Sequence, residues 1–252
     1  IFFIIGALHA QNILPSKQTE NIKVLLEKDA KEALLEVKGP YYIFNPKDQS
    51  RITSGLLGKR FLVHATAKGI KWGETFLDIH QISIVPRSEN SSLLVNGIQY
   101  DGAISIYAKG SDLHVVNELS IEQFIASMLA KDFIYPLESE VMSAIAILAR
   151  TSAYYHGKNN QSLWHIDAIE AGYVGSYLQT PRSLIDKVIK DTQGLILVYA
   201  KEGQNEPFPA TWTEHSAGKT ATFGAIFRKE ALCPSISRPT PHALSDRQDS
   251  SW

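Results

Sequence analysis

The sequence predicts an α+β protein, with a β-rich N-terminal part packed against a part of mixed helices and strands. Three observations carry that expectation. Short alternating apolar and polar runs, separated by Gly and Pro, fill residues 22–117. A helical period replaces them at Ile121 and recurs further on. The 252 residues are 44% hydrophobic and 20% charged, the balance of a globular chain that buries a sizeable core.

Ile1 to Ala10 is an apolar run that ends in a small-residue step, and polarity begins at Gln11-Asn12. This is the pattern of a secretory h-region and its cleavage site, too short to span a bilayer by itself. The chain does not open on Met, so a charged n-region is expected ahead of Ile1. The protein is therefore expected to be exported, to the periplasm or cell envelope, either released or held by an uncleaved signal. Residues 11–21 are polar and read as a linker.

Strands are expected at Ile22–Leu26, Ala33–Val37, Tyr41–Phe44, Phe61–Ala65 and Ile79–Val85. Asn96-Gly97 marks a tight turn, and Ala103–Tyr107 and Leu113–Asn117 form a hairpin around Lys109-Gly110-Ser111. Ile121, Phe124, Ile125, Met128 and Leu129 then fall on one helical face, behind a Ser120/Gln123 capping box. A second helix carries Val141, Ile145, Leu148 and Ser152 on one face, with Ala144, Ala146 and Ala149 beside them. A third opens at Thr180-Pro181, buries Leu184, Ile185, Val188 and Ile189, and stops at Gly194. Leu195–Tyr199 and Pro209–Thr213 read as strands, and 234–252 as an irregular tail, cut short at Trp252. The division is thus 22–117 for the β-rich part and 118–233 for the core domain.

The net charge of −1 supplies no basic field for nucleic acid. A single cysteine, Cys233, excludes an intrachain disulfide and a multi-cysteine zinc site. His165 and Asp167 are spaced as loop ligands, but no metal spacing repeats, so neither metal nor cofactor is expected. His64, His80 and His114 lie within strands as structural residues.

Asp132 falls just past the first helix. The partial negative charge of a helix C-terminus and flanking Leu129, Phe133 and Ile134 both push a carboxyl pKa up, as a general acid requires. A surface aspartate is the alternative. Arg150, among alanines, either binds an anionic or carbonyl-bearing ligand or pairs with a carboxylate such as Glu140 or Asp132. Glu214 to Thr220 combines a titratable His215, the hydroxyls of Ser216 and Thr220, Lys219, and Gly218, which lets a ligand approach the backbone. It is either a ligand-lining loop or a polar turn.

The stretch Leu113-His114-Val115-Val116-Asn117-Glu118-Leu119-Ser120-Ile121-Glu122-Gln123-Phe124-Ile125 resembles the pattern L-x-V-V-N-x-L-x-L-E-x-Y-L of the stage II sporulation protein D (SpoIID) family. Lys131-Asp132-Phe133 falls where that family has x-E-M, and Ala149-Arg150-Thr151 matches its A-R-T in register. Thr192 to Leu197 resembles T-x-G-x-V-L, and Ser216 to Thr220 resembles S-G-G-x-T. The resemblance implies a peptidoglycan lytic transglycosylase that cleaves glycan strands, preferring those stripped of peptides, during septation or envelope remodelling. It assigns the acid to Asp132, and sugar contacts to Arg150, His215, Ser216, Gly218, Lys219 and Thr220. The same scaffold also suits a non-catalytic peptidoglycan-binding protein that enhances an N-acetylmuramoyl-L-alanine amidase. Aspartate stands where the family has glutamate. Ile166 and Ala171 stand in the segment where some members carry zinc ligands, and the family's loop histidine aligns with Thr213.

Overall fold

Alternation along the N-terminal strands sends every second side chain inward, and the inward residues are β-branched or large. The computed structural model describes residues 21–132, 138–158, 162–176, 182–201, 204–212, 219–222, 224–225 and 237–239. In chain order the strands are β1 (Asn21–Ala30), β2 (Ala33–Lys38), β3 (Tyr41–Phe44), β4 (Arg51–Gly55), β5 (Lys59–Thr66), β6 (Gly69–Trp72), β7 (Glu74–Leu77), β8 (Gln81–Pro86), β9 (Ser92–Val95), β10 (Ile98–Tyr100), β11 (Ala103–Lys109) and β12 (Asp112–Ser120). Then come α1 (Ile121–Asp132), α2 (Ser139–Gly157), β13 (Ile166–Asp167), α3 (Ala168–Ala171), α4 (Arg182–Asp191), β14 (Tyr199–Lys201) and β15 (Gln204–Glu206).

The strands make a seven-stranded sheet, β13-β1-β12-β11-β8-β3-β4, and a six-stranded sheet, β10-β9-β2-β5-β6-β7, with β14 and β15 pairing separately. Ile22, Val24, Ile43, Ile82, Ile84, Ile104 and Ile106 of the first sheet share one core with Leu35, Val63, Ile70, Trp72 and Leu93 of the second. Tyr41 and Trp72 meet between the sheets at 5.6 Å, and the Trp72 indole N–H donates to the Leu35 carbonyl, 3.2 Å. The α+β class expected from the sequence is what the chain forms, and its N-terminal part is β-rich.

The Gly110–Ser111 turn joins the expected β11–β12 hairpin, and the expected tight turn at Asn96–Gly97 joins β9 to β10. Strands β4, β6, β7, β9 and β10 were not legible, because each is three to five residues long and three of them, β4, β7 and β10, lie at sheet edges with mostly exposed or half-buried side chains. The expected boundary at residue 117 falls inside β12. Moreover β13, from the later part, pairs in parallel with β1 through Val24–Ile166 and Leu25–Asp167. The β-rich part and the helical part therefore share one sheet.

Three further expectations are corrected. In α2 the buried stripe is Met142, Ile145, Ala146, Ala149, Arg150 and Ala153, while Val141 is exposed, so the buried face is turned by one residue from Val141, Ile145 and Leu148. The turn brings Arg150 inside. Residues 195–198 join no ladder, and the strand begins only at Tyr199. From Pro207 to Trp212 the chain is irregular, since Pro207 and Pro209 offer no N–H to a neighbour. The capping box of α1 forms as expected: Ser120 Oγ accepts from the Gln123 N–H and Gln123 Oε1 from the Ser120 N–H, each at 3.2 Å. In α4, Ile185 and Val188 are buried, with Leu184 and Ile189 packed against the core. The Thr180-Pro181 cap lies outside the described residues, as do the apolar N-terminus and most of the tail. Among the described residues no helix is long and apolar enough to cross a membrane.

Gly102 sits in the turn that leads into β11 with φ +79°, and a Cβ there would lie 2.2 Å from the Glu118 carbonyl oxygen. A Gly102→Ala variant is therefore expected to lose about 1–3 kcal/mol of stability, read as a lowered urea midpoint with an unchanged slope.

Candidate functional site at the ends of helix α1

Helix α1 follows β12 without an intervening loop. Glu122, in its first turn, is placed where the helix dipole favours a carboxylate. Arg150 is 0% exposed and meets it as a fork: Nε donates to Glu122 Oε1 and Nη2 to Oε2, both at 2.8 Å. Arg150 Nη1 also donates to the Leu195 carbonyl, 3.2 Å, and Nη2 to Thr192 Oγ1, 3.3 Å. Thr151, equally buried, donates to the Ile147 carbonyl at 2.7 Å and accepts from the Leu197 N–H at 2.9 Å. Side chains of α2 thus take the backbone groups of residues 195–197 that a strand neighbour would otherwise take.

Of the two readings of Arg150, the structure realises the carboxylate pair, with Glu122 as partner in place of Glu140 or Asp132. Buried and forked onto Glu122, the guanidinium does not present a sugar-holding surface. It also lies at the far end of α1 from Asp132: ten residues separate Glu122 from Asp132, a rise of about 15 Å. Any influence of Arg150 on Asp132 passes through the placement of α1.

Asp132 is the last residue of α1; its side chain, and the loop that follows, lie outside the described residues. The end of the helix that carries it is held by the residue before it. Lys131 Nζ donates to the Gly172 carbonyl, 2.8 Å, at the end of α3. Phe124, on the buried face, packs on Tyr173 with ring centroids 5.4 Å apart. The Tyr173 hydroxyl donates to Asn117 Oδ1, 2.7 Å, and Asn117 Nδ2 donates to the carbonyls of Asp101 and Ala103, 2.8 and 3.0 Å. Burial, then the Asp101 charge, pushes the Tyr173 phenol pKa up, so it remains a donor. Asn117, Glu122, Thr192 and Tyr173 were not singled out as site residues. Asn117 left one signal, a polar residue at an inward position between Val115 and Leu119.

His215, Ser216 and Gly218 lie outside the described residues. Lys219 forms a β-bridge with Pro239. Thr220 accepts at Oγ1 from the Arg238 N–H, 2.8 Å, and its N–H donates to the Arg238 carbonyl, 2.9 Å. The end of this loop is thus clamped to residues 237–239. The loop-ligand pair is used structurally. Asp167 caps α3 by accepting from the Ile169 N–H, 2.8 Å, and His165 Nδ1 accepts from the Lys23 N–H, 3.2 Å. His114 is buried and accepts from the Asp29 N–H, 3.3 Å, in keeping with a structural histidine.

Residues 109–199 match the SpoIID family, described as stage II sporulation protein, and the chain carries a SpoIID domain over that span. It is 38% identical over 157 residues to an uncharacterized protein of Chlamydia pneumoniae, covering 61% of this chain and 57% of that one. It is 35% identical over 179 residues to one of Chlamydia muridarum, covering 70% and 62%. A protein of Brachyspira hyodysenteriae is 32% identical over 122 residues, covering 48% and 32%. The chain thus spans about three fifths of the length of the chlamydial relatives. No solved structure matches it.

Removing one partner of a buried pair leaves the other uncompensated. Arg150→Ala and Glu122→Ala are each expected to cost about 3–5 kcal/mol, and Arg150→Met with Glu122→Leu less than the sum, measured by denaturant unfolding in a double-mutant cycle. A second expectation concerns pH. Burial holds both His156 and His165 below the ordinary histidine range, with Lys23 adding to the effect at His165. The folded state therefore prefers neutral imidazoles, and the unfolded chain binds the extra protons as pH falls below about 6.5. Melting temperature should fall as pH is lowered from 7 through that value toward the folded-state pKa, and His165→Gln should flatten the decline.

Proposed function

We propose that this chain is an exported lytic transglycosylase that cleaves the bond between N-acetylmuramic acid and N-acetylglucosamine in glycan strands, preferring peptide-stripped ones. The observation that carries this reading is the SpoIID match over residues 109–199, which includes Asp132 at the end of a helix anchored at both ends. Asp132, protonated, gives its proton to the glycosidic oxygen as the C1–O bond breaks. The resulting carboxylate takes the proton of the muramoyl 6-hydroxyl as that oxygen bonds to C1. The products are a free 4-hydroxyl and a 1,6-anhydro end, and the acid is regenerated. His215, Ser216, Gly218, Lys219 and Thr220 line the sugar, and Arg150 acts by holding α1.

One observation favours a second reading. Asp132 is a methylene shorter than glutamate, a loss of reach of about 1 Å, and misplacement on that scale costs on the order of 100-fold in rate. On that reading the protein binds peptidoglycan without cutting it and enhances an N-acetylmuramoyl-L-alanine amidase. The apolar run from Ile1 to Ala10 supports export to the periplasm or cell envelope under either reading.

Mass spectrometry of stripped glycan strands incubated with the protein separates the two. The enzyme reading expects 1,6-anhydromuramoyl ends, lost by at least about 100-fold in Asp132→Asn. Absence of such ends from the natural protein, with their appearance in Asp132→Glu and retained cosedimentation with sacculi, would establish the binding reading instead.

A further inference from the structure

Ile82, Ile84, Ile104 and Ile106 point into the core, so the residues between them face away from the second sheet. On that outer face a cleft of about 640 Å³ crosses the strands from β1 through β12 and β11 to β8. Three strand spacings make it about 14 Å long. We infer that this cleft is a saccharide-binding groove, separate from the Asp132 end of α1, that takes an uncharged run of pyranose rings. The groove rests on its own chemistry and not on the peptidoglycan reading: peptide-stripped strands carry a lactyl carboxylate on each muramic acid, whereas this lining suits a neutral oligomer of N-acetylhexosamine.

Its volume lies within the range of built ligand sites, roughly 300–1,000 Å³. Among the described residues its charged lining is Lys23 and Glu118, of opposite sign, so it offers no net field to a polyanion. The remaining polar groups are hydroxyls and amides, which both donate and accept, as a rim of sugar hydroxyls and acetamido groups demands. Tyr107 is half-buried in the lining and provides an aromatic face for the apolar side of a pyranose.

The groove is held in shape before any ligand arrives. Glu118 Oε1 accepts from Asn21 Nδ2, 3.2 Å, which orients the carboxylate. Beneath Tyr107, Ser105 Oγ donates to Ser83 Oγ, 3.0 Å, and both serines are buried, a polar floor in an otherwise apolar sheet. One wall is the turn containing Gly102, pinned by Asn117. The opposite wall, which carries Gln49, is tied down where the Gln49 N–H donates to the Asn45 carbonyl, 2.8 Å, and Gln81 Nε2 to Asn45 Oδ1, 3.1 Å. Pinned walls spare the ordering cost that weakens binding by mobile loops.

The groove begins at the first turn of α1, where Gln123 lines it, whereas Asp132 closes the last. Nine residues of helix separate them, a rise of about 14 Å. It is therefore a site apart from the proposed bond cleavage.

The test is calorimetric titration of the full chain, as Asp132→Asn, with the β-1,4-linked tetramer of N-acetylglucosamine. Tyr107→Ala and Gln49→Gly are each expected to weaken binding by 10-fold or more. Gln49 has φ +59°, which glycine keeps without strain, so this variant retains the fold, and a melting curve checks it. Unchanged affinity in both variants, or no binding of the tetramer by the parent, overturns the groove. The outcome is independent of the catalytic reading: groove-dependent binding without 1,6-anhydro products would remove the enzyme and keep the groove. Asp132-dependent cleavage with groove-independent binding would do the reverse.

Discussion

The Arg150 guanidinium lies in the interior of the helical cluster, forked onto the Glu122 carboxylate, and the placement of three helices depends on that pair. A buried cation is tolerated only with a partner in good geometry and its remaining N–H groups satisfied. Here α1 supplies the carboxylate, Thr192 at the end of α4 a hydroxyl, and Leu195 a carbonyl. Satisfying those groups turns α2 so that Arg150 faces inward and Val141 faces out. It also draws residues 195–197 away from any sheet, with Thr151 completing the arrangement by accepting from Leu197. A short side chain at position 150 would leave α2 free to choose the face that its aliphatic residues alone prefer.

Near the same end of α1 a second, neutral network sets direction. β12 runs into α1 without a loop, so the strand aims the helix. Asn117, three residues before the strand ends, is clamped to the Asp101–Ala103 turn on one side and to Tyr173 on the other. Tyr173 in turn packs on Phe124 of α1, and Lys131 reaches the Gly172 carbonyl next to it. The result is a helix tied at its start through an ion pair and an aromatic contact and at its finish through a lysine bond.

The residues that carry the family resemblance are largely those that hold the scaffold. Asn117, Glu122, Arg150, Thr151 and Thr192 lie far apart in the chain yet bond to one another, or to the segments next to one another, in the folded protein. The A-R-T and T-x-G-x-V-L segments resemble the family because one grips the other. Their presence speaks for the same scaffold and places Asp132 upon it; the chemistry is then a question for the one carboxyl group that departs from glutamate.

Much of the fold was legible from local pattern. The strands from Asn21 to Phe44, the β11–β12 hairpin, the Asn96–Gly97 turn, the capping box of α1 and the apolar face of α4 are all set by neighbours within a few residues, where periodicity and turn chemistry act. Position 132 was expected just past α1 and is its last residue, a shift of one position at a helix end. What only the tertiary structure decided was long in range. Glu122, 28 residues away, is the partner of Arg150; the buried face of α2 turns to suit; residues 195–197 leave the ladder; and β13 joins β1 across 142 residues. Local rules place a side chain on a face of its own element. Which charge it meets there depends on how elements pack, because a buried ion's energy is set by its partners and not by its neighbours in sequence.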